Sequence, residues 1–311
     1  MNFHPLLTKL TQISPRYAEK EIVAARIIED FLQSYGIPYK TQPFTAQVPA
    51  VKKAKLIADG KAISCLGSCL VSGQIPDGNY LVSHYGYSGQ TPYNIAYSPV
   101  TDSISVVDHF KIPSVTISRK DITKIVMAQT IKGFVEVEKR KINTENILVG
   151  NLKNPTHIVF AHFDSIIGPG ALDNAGAVAV MMACFVDNQR LLENTLFNFS
   201  GNEEIAYDDY KLSGYGFRVF EKKYGNLLAN AKKIFVLDGV GIGTPSFSQN
   251  GLDWVLQVKM LDKIRNKVFW LQNDQAPMMK YFHSTEDKLE ILKEKYLRAA
   301  QETLTKEIAK K

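Results

Sequence analysis

The stretch "AHFDSIIGPGALDN" (161–174) concentrates groups that bind cations or move protons: His162, Asp164 and, after a Gly-Pro-Gly break, Asp173. Further along, "FSGNEE" ends on Glu203 and Glu204, "IFVLDG" carries Asp238, and "YFHSTEDKLEIL" carries His283. Taken singly, each has an ordinary explanation: an Asx-turn, a helix N-cap or a solvated turn. Taken together, imidazoles and carboxylates form a donor set that zinc accepts well. A further carboxylate beside such a set can act as a general base.

The elements between these residues are what give the set meaning. "HIVFA" (157–161), "TLFNFS" (195–200) and "KIFVLDG" (233–239) are apolar runs of strand length, as is "NILVG" (146–150). "LDNAGAVAVMMACFV" (172–186) is small and apolar on nearly all sides, which predicts a buried helix. Apolar strands alternating with helices predict an α/β fold with a mostly parallel, mixed central sheet covered by helices on both faces. The carboxyl ends of parallel strands share one edge, where ligands bind. Residues far apart in sequence therefore converge there.

Convergence raises an electrostatic difficulty. Asp173, Glu203, Glu204 and Asp238 would place about four negative charges together, each like pair at 4 Å costing on the order of 4 kcal/mol at an effective dielectric near 20. Either carboxyls protonate or cations neutralise them, and two divalent ions would suffice. His162 and Asp164 are two residues apart, so they project to one side of an extended segment. Asp164 can then hold one imidazole nitrogen while the other binds metal. Glu203 and Glu204 are adjacent and point apart, so one can bind metal while the other serves as base.

This pattern resembles the zinc exopeptidase family of bacterial leucyl-type aminopeptidases, glutamate carboxypeptidases and glutaminyl cyclases. "AHFDS", "GALDNAGAVAVMM", "FNFSGNEEIAY", "IFVLDGVG" and "FHSTEDKLEIL" occur in that family's order. The resemblance implies two zinc ions. His162 and Asp238 would bind one, Glu204 and His283 the other, and Asp173 would bridge them. Glu203 would be the catalytic base, Asp164 the partner of His162, and the Asp173–Asn174 peptide would be cis. The implied activity is that of a metal-dependent aminopeptidase acting on peptides with a free N-terminus. A carboxypeptidase or a glutaminyl-cyclase-like acyl transferase is the enzymatic alternative, and a non-catalytic binding protein the other. A carboxypeptidase needs arginines for the substrate carboxylate, and Arg218 and Arg265 are the candidates. The chain departs from the family in its short interval from His162 to Asp173 and in "IAYDDYKLSGYGF" after Glu204, which bear on pocket shape.

Residues 48–138 have another texture. Short β-type runs alternate with turn signals, and "IPSVTISRKDITKI" resembles the protease-associated insert of some family members. The expected organisation is a catalytic domain of 1–47 and 139–311 around a β-rich insert of 48–138. Residues 17–35 show helical spacing ended by Gly36, and "IPYKTQPF" reads as a strand. The last helix is expected to begin near Thr285, where Ser284 and Asp287 have capping-box spacing. His84, His109 and His157 lack ligand-spaced companions and are read as structural or exposed.

Composition narrows the remaining classes. The 311 residues carry a formal charge of +6, with much of the excess in a C-terminal stretch of interleaved acids and bases. That is the pattern of a solvated helix face, and no basic run interleaved with aromatics suggests nucleic-acid binding. No apolar run reaches membrane-span length and no secretory leader is visible. Three cysteines do not make a disulfide framework. The expectation is a cytoplasmic protein.

Overall fold

The computed structural model describes residues 1–75, 81–83 (backbone only), 94–106 and 108–310. His84 and most of the tyrosine-rich loop around it lie outside the described residues. The chain divides into two units. One comprises Met1–Ala46, Lys141–Met278 and Asp287–Lys311, and the other Gln47–Arg140 with Met279–Glu286. The sequence contains no signal that 279–286 goes with the second unit.

The first unit is built on four mutually parallel strands. Val268–Gln272 pairs with Lys233–Leu237, which pairs with His157–His162, which pairs with Thr195–Ser200. Antiparallel neighbours flank this core: Ser246–Ser248 beyond Val268–Gln272, and residues 147–150 beyond Thr195–Ser200. The sheet is thus mixed with a parallel centre, as its apolar strands predict. Every residue of His157–His162 and Thr195–Ser200 is buried, which is what a strand covered on both faces requires.

Helices cover the two faces. Phe160 meets Phe217 and Phe220 edge-on at ring distances of 5.4 and 5.1 Å, from the helix Tyr215–Asn230. On the opposite face, Phe185 of the helix Gly176–Asp187 packs on Phe197 at 4.9 Å and on Phe199. Residues 176–185 of that helix are all buried, because the C-terminal helix Glu294–Ile308 lays Leu297, Ala300, Leu304 and Ile308 over it. The spacing of those four is an apolar stripe at helical period.

Two expectations at element ends are corrected. The last helix starts at Glu294, not near Thr285. Asp287 does not complete a capping box with Ser284, because its carboxylate accepts the amides of Leu172 and Asp173 at 2.6 and 3.0 Å. "NILVG" is not a strand of its own but the end of a longer one, Ile131–Gly150, and the strand after Gly36 runs the full length of Tyr39–Ala58.

The second unit contains a four-stranded sheet. Cys65–Gly67 is antiparallel to Val115–Ile117, which continues in parallel through Ile95–Tyr97 to Leu81–Ser83. Its core gathers Leu56, Ile63, Ile75, Ile95, Val115, Ile117 and Ile131. No described helix is long and apolar enough to cross a membrane.

Candidate metal centre

The site forms where the parallel strands end. His162 is the last residue of its strand, and its register partner Ser200 ends the next one. Asp164 follows two residues after His162, Glu203 three after Ser200, and Asp238 directly after Leu237. Sheet register thus brings together residues up to 76 apart in sequence without any local signal that they meet.

His162, Asp173 and Asp238 each offer a ligand atom, and those atoms lie within 4.8 Å of one another. His162 Nε2 is 3.1 Å from Asp173 Oδ1 and 4.0 Å from Asp238 Oδ1. One imidazole and two carboxylates at this spacing fit a divalent cation such as zinc, both in donor type and in charge. On the far side of the ring, Nδ1 stands 3.3 Å from Asp164 Oδ1. This is the arrangement that orients a ligating histidine and raises its basicity.

Asp164 has a second task. It is fully buried, and its two oxygens accept the amides of Glu203 and Glu204 at 3.1 and 2.9 Å. One carboxylate therefore ties the end of one strand to the turn after its neighbour. That turn is tight: a Cβ on Gly201 would lie 2.5 Å from Thr144 Oγ1 and 2.7 Å from Glu21 Oε1. Asn202 adopts a left-handed φ of 47°, a conformation asparagine tolerates better than most residues.

Asp173 sits ahead of the helix rather than in it. It and Asn174 have non-helical backbone angles, and the peptide between them is cis, as the family resemblance implies. Asn174 Nδ2 donates to Leu237 O at 2.9 Å, tying this segment to the strand that delivers Asp238. The Asp238 carbonyl accepts from Trp270 Nε1 at 3.0 Å.

The electrostatics match the crowding expected from sequence. Burial pushes Glu203 well above the usual carboxylate range; His162 opposes this, while Glu204, Asp164 and Asp238 add to it. Burial pulls His162 down, but Asp164, Asp173 and Glu203 outweigh it and hold the ring well above its ordinary value. Burial also raises Asp287 to about 7, reinforced by Asp173 and opposed by the Leu172 and Asp173 amides and by Arg16. A cluster of this kind invites cations.

His283 belongs to the second unit. Its Nδ1 lies 2.9 Å from the Val106 carbonyl, and Val106 N donates to the His283 carbonyl. A carbonyl only accepts, so Nδ1 carries the hydrogen in this contact. Phe282 stacks on the ring at 3.8 Å.

Three buried charged residues near the site carry no local sign of their role. Arg16 and Glu21 come from the N-terminal segment, and Asp287 from the segment before the last helix. Glu21 is fully buried and accepts from Thr144 Oγ1 beneath the Gly201 turn. Burial first, and Asp164 next, push its carboxyl well up. The two arginines considered as carboxylate receptors are otherwise engaged. Arg218 donates to Asp208 Oδ2 at 2.6 Å and to the carbonyls of Lys211, Ser213 and Gln257. Arg265 pairs with Asp253 and Asp262 at the surface.

Residues 146–262 match the family model of Peptidase family M28. This segment holds His162, Asp164, Asp173, Glu203, Glu204 and Asp238. The structure is similar over nearly its whole length to solved peptidases and glutaminyl cyclases. A zinc aminopeptidase from Bacillus subtilis superposes with a TM-score of 0.68 at 17% identity, covering 97% of this chain and 92% of that one. A Peptidase M28 precursor from Shewanella amazonensis gives 0.70 at 14%, covering 98% and 92%. The glutaminyl cyclase of Porphyromonas gingivalis gives 0.54 at 12%, covering 98% and 96%. Comparison with curated proteins finds no match. The resemblance read from the sequence and the α/β fold it implied are both borne out.

Proposed function

We propose that this chain, with its match to peptidase family M28, is a metal-dependent aminopeptidase that uses two zinc ions and removes N-terminal residues from short peptides. The observation that carries this reading is the cluster of His162, Asp173 and Asp238, with Asp164 on the far nitrogen of the ring. His162 and Asp238 would hold one zinc and Asp173 would reach both ions. Glu204 and His283 would serve the second, as the family resemblance implies. Zinc at such a site lowers the pKa of a water and polarises the scissile carbonyl.

The remaining steps belong to the protein. Glu203 takes a proton from water as the oxygen attacks the scissile carbonyl carbon. It returns that proton to the amide nitrogen as the C–N bond breaks, releasing a free amino acid and a peptide shortened by one residue. A carboxyl raised by burial suits this exchange, because a base works best with a pKa near the operating pH. Asp164 fixes where Glu203 can reach by holding its main-chain amide.

The engagement of Arg218 and Arg265 favours an aminopeptidase over a carboxypeptidase, since neither guanidinium is left to receive a substrate carboxylate. The test is metal analysis of the purified chain combined with a peptide panel. We expect about two zinc ions per chain and cleavage of peptides with a free N-terminus. N-acetylated versions should resist cleavage. One zinc per chain with cyclisation of N-terminal glutamine would assign it instead to the cyclases, and absence of any turnover with metal bound would make it a binding protein.

A further inference from the structure

His162 and Asp173 are joined by a segment with little regular structure, "FDSIIGPGAL" (163–172). A loop of this kind would ordinarily be loose, yet it must hold two ligands in register to a few tenths of an ångström. Two buried charges from distant parts of the chain engage its main chain.

Arg16 is fully buried. Its Nε donates to Phe163 O at 2.6 Å, its Nη2 to Gly170 O at 2.8 Å, and its Nη1 to Pro169 O and, at 3.4 Å, to Leu10 O. Its main chain joins in, with Arg16 N donating to Ser165 Oγ at 3.0 Å and Ser165 N donating to Arg16 O at 3.1 Å. The guanidinium thus takes carbonyls from both ends of the segment. Asp287 takes the amides that follow. Its oxygens accept from Leu172 N and Asp173 N, and its carbonyl accepts from Ala171 N.

The fit is close. Gly170 has a φ of +57°, and a Cβ there would lie 2.7 Å from Arg16 Nη2 and 2.6 Å from Asp173 O. Burying a guanidinium is costly, and an apolar side chain of like size would fill the same space more cheaply if packing were the only demand. A planar fork that reaches several carbonyls at once is what Arg offers and neither Met nor Lys does.

We propose that Arg16 and Asp287 are positioning residues. Arg16 gathers the carbonyls of 163–170 and Asp287 gathers the amides of 171–173, so that together they set the register in which His162 and Asp173 meet a divalent cation. This rests on the metallopeptidase reading above. It goes further by assigning the preorganisation of the site to two residues that bind no metal.

The test uses the full chain, stripped with a chelator and titrated with zinc against a chromophoric competitor. Arg16→Met and Asp287→Ala should each weaken zinc by about 10- to 100-fold, the usual effect of removing a group that orients a ligand. Leu227→Ala, a truncation in a core cluster that contains no residue of 163–172, controls for lost stability and should leave zinc affinity within about twofold. Arg16→Lys keeps the charge and loses the fork, so it should fold and still bind zinc more weakly than wild type. Hydrogen exchange on the metal-free Asp287→Ala chain should show faster exchange at the Leu172 and Asp173 amides. Zinc affinities equal to wild type, or weakened no more than in Leu227→Ala, overturn the proposal, as does full rescue by Lys. A wild-type chain that binds no zinc would instead sink the metallopeptidase reading, and the exchange measurement would still judge the clamp.

Discussion

The floor of the candidate site and the body beneath it are held by opposite means. In the body, Phe160, Phe217 and Phe220 on one face, and Phe185, Phe197 and Phe199 on the other, pack ring on ring. Such contacts are non-directional and tolerate volume-conserving exchange. On the floor, Arg16, Asp164 and Asp287 grip main-chain carbonyls and amides, with donors and acceptors that allow one arrangement. The body therefore supplies stability and the floor supplies geometry. Substitutions in one should move a different observable from substitutions in the other.

The sharpest break is expected at Asp173, the residue both metal ions would share. Asp173→Asn should abolish zinc retention, measured by metal analysis after dialysis, while the circular dichroism spectrum is kept. Two zinc ions bound at normal affinity would remove the bridging role. Next is Glu203→Gln, which should keep fold and metal and lower turnover by about 10²–10⁴-fold, the usual contribution of a general base. A variant running near wild-type rate would dismiss Glu203 as base. On the other side of the comparison, Phe220→Ala should cost about 3–5 kcal/mol in urea unfolding. The folded fraction should still bind zinc as wild type does. Weakened binding there would show that body and floor are not separable.

The smallest effect concerns pH. Burial holds Asp287 at about 7 in the folded, metal-free chain, whereas the unfolded carboxyl titrates near about 3.9. The folded state thus binds the extra proton between these values. The contribution of Asp287 to the stability of the metal-free chain should be greatest at the acid end of this window, fall as pH rises through it, and level off above about 7. Glu21 and Glu203, also raised by burial, add slope of the same sign. Asp287→Asn should flatten part of this slope, as read from urea midpoints across pH.

What could be read beforehand follows the same division. Apolar strands and a buried helix announce themselves through composition over five to twelve residues, so His157–His162, Thr195–Ser200 and Gly176–Asp187 were legible in outline. The carboxylates and imidazole at their ends were legible because a parallel sheet collects such ends. The ties that hold the floor were not. Arg16 meets Phe163 across 147 residues and Asp287 meets Leu172 across 115. Nothing in "SPRYA" or "TEDKL" marks those side chains as buried. Ser284 and Asp287 imitate a capping box, which suggests a helix start that the chain does not make there. The long strands Tyr39–Ala58 and Ile131–Gly150 read as fragments because charged residues interrupt their apolar pattern.

The separation between Arg16, the 163–173 segment and Asp287 also bears on how the chain matures. Synthesis delivers Arg16 first, Phe163 147 residues later, and Asp287 115 residues after Leu172. Contacts this distant in sequence form slowly, because the intervening loops must close before any bond rewards them. A nascent chain halted before residue 287 holds only one side of the grip. Under the metallopeptidase reading, zinc would then be captured only after residue 287 has been made, rather than seeding the fold.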